Sequence, residues 1–472
     1  MVSVRKNYLY NIIYQILLLL LPLVTVPYLT RTLGAFGLGM FAYTNSIAQY
    51  FVIMIMMGVN LYGSRQIAKV RDDVNKLGKE FSEIISLQII NAVIFIIIYL
   101  IYALYVYLFE YDRFPITIVW SAYVLSAGFD ITWFFAGLEN FKIIVVRNVV
   151  LKFAMVIGIF IFVTDDSSLL TYVLLVSVGT FFSQVALWFN NCVQFKFDCR
   201  LKTYKKHFRR CFTLFIPVIS VSIYTIVDKV MLGYMSTYDQ LAFFDNSQKI
   251  ITIPLALITS LGNVMLPRIT HLLVGGNDDM IDGYIEKTMF FTIVASIGFV
   301  SLIVAIAPVF SRLFFGDSFA DCGDMIKYLS LTIPFIAWAN VIRMQYLIPR
   351  NMDYAYVIAV VLGALINLLM NFILIPKYNA YGAIFATIAT EIFVAIIQTA
   401  YVKNKLPIAR FFYNGMFFII PGVVSCYGMI IAIGYLNNNM ISIAVNAFLG
   451  GGVYLLGVVC IIKKRSKNMF NI

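Results

Sequence analysis

The chain has 472 residues, 61% of them hydrophobic and 12% charged, with a mean hydropathy of +0.89 and a formal net charge of +12. A soluble chain is roughly a quarter charged, and no window of ordinary polarity reaches the ~100 residues of a typical domain. Soluble enzymes and nucleic-acid-binding domains are thereby excluded, and the positive charge needs a topological explanation.

Apolar runs of the length that crosses a bilayer as a helix follow one another with short connections. They predict an all-α polytopic membrane protein with about 14 spans: 8–30, 38–62, 84–109, 115–138, 143–163, 168–190, 212–234, 241–266, 288–314, 325–348, 354–376, 380–402, 412–435 and 441–462. The first run continues directly into the second and reads as a retained helix, not a cleaved signal peptide. Prolines interrupt the pattern at Pro22, Pro27, Pro217, Pro254 and Pro334. Proline removes a helix hydrogen bond and bends the axis, which either lines a transport path or is simply tolerated in a membrane helix.

The basic clusters fall on alternate connections: Arg65 to Lys79, Lys196 to Arg210, Lys403 to Arg410 and Lys463 to Lys467. Cytosolic connections carry such an excess, so both termini are expected in the cytosol. The stretch 191–211 reads as a long basic loop that joins two lobes and attracts anionic lipid headgroups. His207 and His271 are expected in loops. The cysteines form no close metal-type pair and read as reduced thiols; metal catalysis is not expected.

A short repeat supports two halves. Leu33-Gly34 is followed after ten residues by Asn45-Ser46, and Leu232-Gly233 after twelve residues by Asn246-Ser247. The copies lie six spans apart and run in the same direction, as in parallel-repeat transporters. The expected organisation is an N-terminal six-helix lobe (1–195), a basic linker (196–211), a C-terminal six-helix lobe (212–405), and an extra helix pair with a basic tail (406–472).

Charged residues inside the apolar runs are the candidates for function. A cation at the centre of a membrane helix costs at least ~2.5–3.5 kcal/mol, so it faces water or a partner, or snorkels to an interface. Arg31, Arg147, Lys152, Lys229, Lys249 and Arg343 are such residues. Lys152 lies about nine residues into its span, or ~14 Å deep at ~1.5 Å per residue, where snorkelling is hardest. Asp245 and Lys249, spaced i, i+4 with the acid first, are placed to pair; either the pair is static or Lys249 exchanges between Asp245 and a substrate phosphate. Asp130, Asp228 and Glu391 are candidates for proton or Na+ coupling, or for structural ion pairs. Asn45 and Gln49, and likewise Asn367 and Asn371, share helix faces and either bond between helices or contact sugar hydroxyls. Gln88 and Asn91 read the same way. No phosphate-binding loop is present, no catalytic residue is assigned, and no cofactor is expected.

The stretch Pro22 to Gly34, with Gly58 and Tyr62-Gly63-Ser64-Arg65, resembles the start of the Wzx-type polysaccharide repeat-unit flippases. So do Asp228 to Gly233, Asp245 to Ile250 and Val264 to Arg268. These flippases belong to the MOP (multidrug/oligosaccharidyl-lipid/polysaccharide) superfamily. The resemblance covers essentially the whole chain. It implies two six-helix lobes around a central cationic cavity, alternating access, and an undecaprenyl-diphosphate-linked oligosaccharide as substrate in a bacterial cytoplasmic membrane. It also implies a place beside glycosyltransferases and a polymerase of the same pathway, with no nucleic acid as partner. By similarity to lipid II flippases, Arg31, Arg65 and Lys249 match cavity basic positions; lysine stands where that branch has arginine and lacks its bidentate fork. Two other readings remain: a cation-coupled drug exporter, whose cavity should be acidic and aromatic, and a membrane-embedded glycan polymerase.

Overall fold

The computed structural model describes residues 4–190, 196–197, 200–275, 277–435 and 439–469. Among these the chain is helical, with no strand. Twelve helical stretches are long and apolar enough to cross a membrane, or thirteen if the broken stretch 203–235 counts as one. The first, Leu20–Val70, has 51 residues. At ~1.5 Å per residue it is long enough for two crossings of ~30 Å. The expected fourteen is therefore an approximate count of this multi-pass fold.

By internal packing the chain forms two compact units, Met1–Ser222 and Ile223–Ile472. The first contains α1 (Val4–Met56), α2 (Val59–Val70), α3 (Val74–Phe109), α4 (Phe114–Ser126), α5 (Thr132–Gly137), α6 (Phe141–Phe162), α7 (Leu169–Trp188) and α8 (Leu201–Ser222). α1 is broken at Gly34, whose φ of 66° and ψ of −177° leave the helical region. Glycine adopts that conformation without a Cβ clash. Tyr28 before the break donates to the Val163 carbonyl at 2.6 Å, and Tyr43 after it lies under the Arg113 guanidinium at 5.0 Å. Both partners are at connections on the predicted outer side, so the chain turns back near Gly34. A second break, Met57-Gly58 with φ of 39° and 76°, separates α1 from α2.

Buried polar side chains tie this unit together where helices break. Gln88 donates to the carbonyls of Ala127 and Asp130 at 2.6 and 2.9 Å, and accepts from Trp133 Nε1 at 2.9 Å. It thereby satisfies backbone groups freed between α4 and α5, which would be costly unpaired in a membrane. Asn91 donates to Ile55 O and accepts from the Tyr204 hydroxyl. These two residues bond between helices, the first of the two readings their sequence positions allow.

The stretch expected as a loop over 191–211 contains the start of α8, and His207 is fully buried on it. His271 also lies in a helix, at the end of α10. The reason is amphipathic: Tyr204, Phe208 and Phe212 stack ring on ring at 5.5 and 5.9 Å along one face, while the basic residues intervene. The density of charge masks a helical period of apolar residues. Cys192 and Cys199 lie outside the described residues.

The second unit contains α9 (Asp228–Met235), α10 (Tyr238–Val274), α11 (Asp278–Phe315), α12 (Cys322–Ser330), α13 (Ile333–Ile342), α14 (Asp353–Tyr378), α15 (Ala380–Val402), α16 (Ile408–Met416), α17 (Ile419–Tyr435) and α18 (Met440–Met469). Pro334 sits in the first turn of α13, where its missing N–H costs nothing. α14 and α15 form a close hairpin at Gly382: a Cβ there would lie 2.4 Å from the Leu374 carbonyl oxygen. The pair α17 and α18 packs on α11, with Tyr454 donating to Val294 O at 2.7 Å and Phe418 edge-on to Phe290.

Candidate functional site

In the second unit α9 and α10 bring three charged side chains together. Lys229 Nζ lies 2.6 Å from Asp245 Oδ1, and Lys249 Nζ lies 2.7 Å from Asp245 Oδ2. Each carboxylate oxygen takes one ammonium. The Asp245–Lys249 contact is the expected i, i+4 pair; the Lys229 contact crosses between helices, and no spacing in the sequence points to it. The Asp245 side chain is 10% exposed, Lys229 23% and Lys249 42%. Two cations over one anion leave a surplus positive charge, and its more accessible half is Lys249. Lys249 also donates to Asn246 Oδ1 at 3.3 Å. The cluster can hold an anion in the way it holds the Asp245 carboxylate.

Asp228 precedes Lys229 but points elsewhere, as the ~100° step between adjacent helical residues requires. It is fully buried. Asn371 Nδ2 donates to its Oδ1 at 2.6 Å and Thr387 Oγ1 to its Oδ2 at 3.1 Å. Asn371 Nδ2 also bonds to Asn367 Oδ1 at 3.0 Å. Asn367 Nδ2 and Asn371 Oδ1 are buried with no hydrogen-bond partner among the described residues. Thus Asn367 and Asn371 do meet on one face of α14, and they meet a carboxylate. Thr387 completes the network and carries no signal in the sequence beyond being a hydroxyl in an apolar run. Glu391 lies one turn further along α15 than Thr387 and is within electrostatic reach of Arg343 and Asp228. Arg343 opens a π-helical turn, donates to the Tyr356 hydroxyl at 3.2 Å and stacks over that ring.

In the first unit the predicted residues are dispersed. Arg31 is exposed and donates to the Pro27 carbonyl at 2.8 Å. Arg65 is exposed on α2. Arg147 donates to Gln184 Oε1 at 2.5 Å and lies 3.5 Å from Thr132 Oγ1. Lys152 is half-buried on α6, and no hydrogen bond or ion pair of its side chain is found among the described residues. Asn45 and Gln49 are half-buried on the second arm of α1. Asp130 acts locally, since its Oδ1 accepts from the Thr132 amide at 2.8 Å and so closes the first turn of α5.

One buried cluster has no counterpart in the sequence reading. His207 Nδ1 lies 2.9 Å from the Tyr62 hydroxyl, and its Nε2 lies 2.8 Å from Glu83 Oε2. Glu80, Glu83 and His207 place ligand-type atoms within 4.8 Å of one another. The Lys206 ammonium stands 3.4 Å from Glu83 and 3.9 Å from Glu80.

Residues 4–273 match the model of the family described as polysaccharide biosynthesis protein. The chain belongs to that family. Two relatives span most of its length. A putative O-antigen transporter of Escherichia coli (strain K12) is 25% identical over 85% of this chain and 97% of its own. One of Shigella dysenteriae is 23% identical over 81% of this chain and 96% of its own. A solved structure titled lipid II flippase MurJ, inward closed conformation, superposes with a TM-score of 0.74 at 16% identity, covering 97% of this chain and 99% of that one. At that identity the likeness shows the fold: this polysaccharide biosynthesis family member has the helical architecture of that structure.

Proposed function

We propose that this protein is a flippase for lipid-linked oligosaccharide repeat units in cell-surface polysaccharide biosynthesis. The substrate we infer is an undecaprenyl-diphosphate-linked oligosaccharide, moved from the inner to the outer leaflet of a bacterial cytoplasmic membrane with both termini cytosolic. Two six-helix halves act by alternating access, and the pair 406–472 is an addition to them. The observation that carries the reading is the Lys229–Asp245–Lys249 cluster, a surplus of cation inside membrane helices. Lys152, which has no anionic partner among the described residues, supports it from the other half. The similarity to O-antigen transporters and the MurJ-like fold point the same way. Arg31, Arg65, Arg147 and Arg343 are proposed as further contacts to the phosphates, which carry the headgroup while the prenyl tail stays in lipid.

Among the coupling candidates, Asp228 is favoured. Its carboxylate is fully buried among the amide of Asn371 and the hydroxyl of Thr387, and a carboxylate so placed inside membrane helices is a candidate for proton or cation coupling. Asp130 is occupied in closing α5.

The test is flipping of a labelled undecaprenyl-diphosphate oligosaccharide in reconstituted vesicles. Lys249→Ala and Lys152→Ala are each expected to slow flipping at least ~10-fold, the effect of ~1.4 kcal/mol. Wild-type rates in both variants, or transport of an organic cation in place of the lipid, overturn the proposal.

A further inference from the structure

We infer that His207 is a positioning residue that sets the place of α2 and, with it, of Arg65. The inference rests on the reading of Arg65 as a contact for the substrate's phosphates. His207, Tyr62 and Glu83 are 0%, 3% and 6% exposed. Glu83 is a carboxylate and only accepts, so His207 Nε2 carries a hydrogen toward it at 2.8 Å. In the neutral imidazole Nδ1 then accepts from the Tyr62 hydroxyl at 2.9 Å. This tautomer is assigned from the network of partners. The chain of bonds runs one way, from Tyr62 through His207 to Glu83. Lys206 and Lys79 flank the carboxylate at 3.4 and 4.0 Å, and Glu80 lies 3.9 Å from Lys206.

α2 is the part this chain of bonds holds. It is a helix of 12 residues joined to α1 through Met57-Gly58, both with left-handed backbone. α8 lies against that joint: a Cβ on Gly58 would come 2.7 Å from the Cys211 carbonyl oxygen. The neighbouring face of α2 is in contact with α5, where a Cβ on Gly63 would come 2.5 Å from the Trp133 ring. Tyr62 and Arg65 are three residues apart, so a bond at one fixes the height and rotation of the other. The motif Tyr62-Gly63-Ser64-Arg65 then has a use for three members: Tyr62 for the bond to α8, Gly63 for the approach to α5, and Arg65 for the anion. Buried ionic contacts are expensive relative to apolar packing; what this one adds is direction, which apolar packing does not supply.

The test measures binding of radiolabelled undecaprenyl diphosphate to the full chain in detergent, with hydrogen exchange of residues 59–70 alongside. His207→Gln keeps a donor and an acceptor but gives up the rigid ring that fixes them toward Glu83 and Tyr62. It and Tyr62→Phe are each expected to weaken binding about tenfold, within the range of coupled contacts, and to speed exchange in α2. The Arg65→Ala/His207→Gln double variant should bind no more weakly than Arg65→Ala alone, because a misplaced arginine and a missing one are equivalent. Additive losses, or wild-type binding and exchange in His207→Gln, overturn the inference. Wild-type binding in Arg65→Ala overturns the phosphate reading of Arg65 instead; faster exchange confined to α2 in His207→Gln then still supports the hold of His207 on the helix, and unchanged exchange overturns it.

Discussion

Asp245 decides how the lysine pair behaves. Its two oxygens already occupy both ammonium groups, so an incoming phosphate must compete with a carboxylate held at 2.6 and 2.7 Å. Removing that competitor with Asp245→Asn frees both cations. Undecaprenyl diphosphate is then expected to bind about tenfold more tightly, equivalent to ~1.4 kcal/mol, as measured with the purified protein. Unchanged or weaker affinity contradicts the competition. The Asp245–Lys249 half of the cluster was legible because both residues lie on one helix at a fixed spacing. The Lys229 half was not, since it depends on how α9 is rotated against α10. Gln88 and Asn91 were legible as polar residues in apolar runs. Only the structure gives their partners, backbone carbonyls at helix breaks, a tryptophan and a tyrosine.

At the scale of the element, the helix ends carry a pH dependence outside the membrane spans. Asp73 caps α3, accepting from the Lys76 amide at 3.1 Å and pairing with the Lys76 ammonium at 3.0 Å. Hydrogen bonding to the Lys76 side chain, then to its backbone amide, holds the Asp73 carboxyl below its ordinary range. A carboxyl lowered in the folded state stabilises the fold above its unfolded value and loses that contribution as pH falls through the folded one. Protection of the first turn of α3 should therefore fall as pH drops below the ordinary carboxyl value of about 4 and through the lower folded one. Asp73→Ala should lower protection at neutral pH and abolish the pH dependence, as read by hydrogen exchange. An unaltered pH profile in that variant contradicts the cap. The first turns of α8, residues 201–211, are what sequence reading lost. A stretch with so many basic residues resembles a solvated loop unless its aromatic residues are seen to recur on one helical face.

For the whole molecule, the Asp228 network is the place where ion coupling can be tested. Asp228→Asn retains hydrogen-bonding capacity toward Asn371 and Thr387 and removes the charge. Flipping in vesicles is expected to lose its dependence on a proton or Na+ gradient while diphosphate binding at Lys249 is kept. A gradient dependence equal to wild type excludes Asp228 as the coupling carboxylate.

Composition, hydropathy and loop charge determined by themselves that this chain crosses a membrane many times as helices, and which motifs resemble the polysaccharide flippases. Those properties are sums over consecutive residues, and the bilayer imposes them along the chain. Tertiary structure alone decided that Lys229 joins Asp245, that Asp228 meets Asn371 and Thr387, and that Tyr62, His207 and Glu83 form one buried line. These partners lie on different helices, and whether two side chains meet depends on the rotation and depth of each helix against its neighbours. A hydropathy pattern leaves both undetermined.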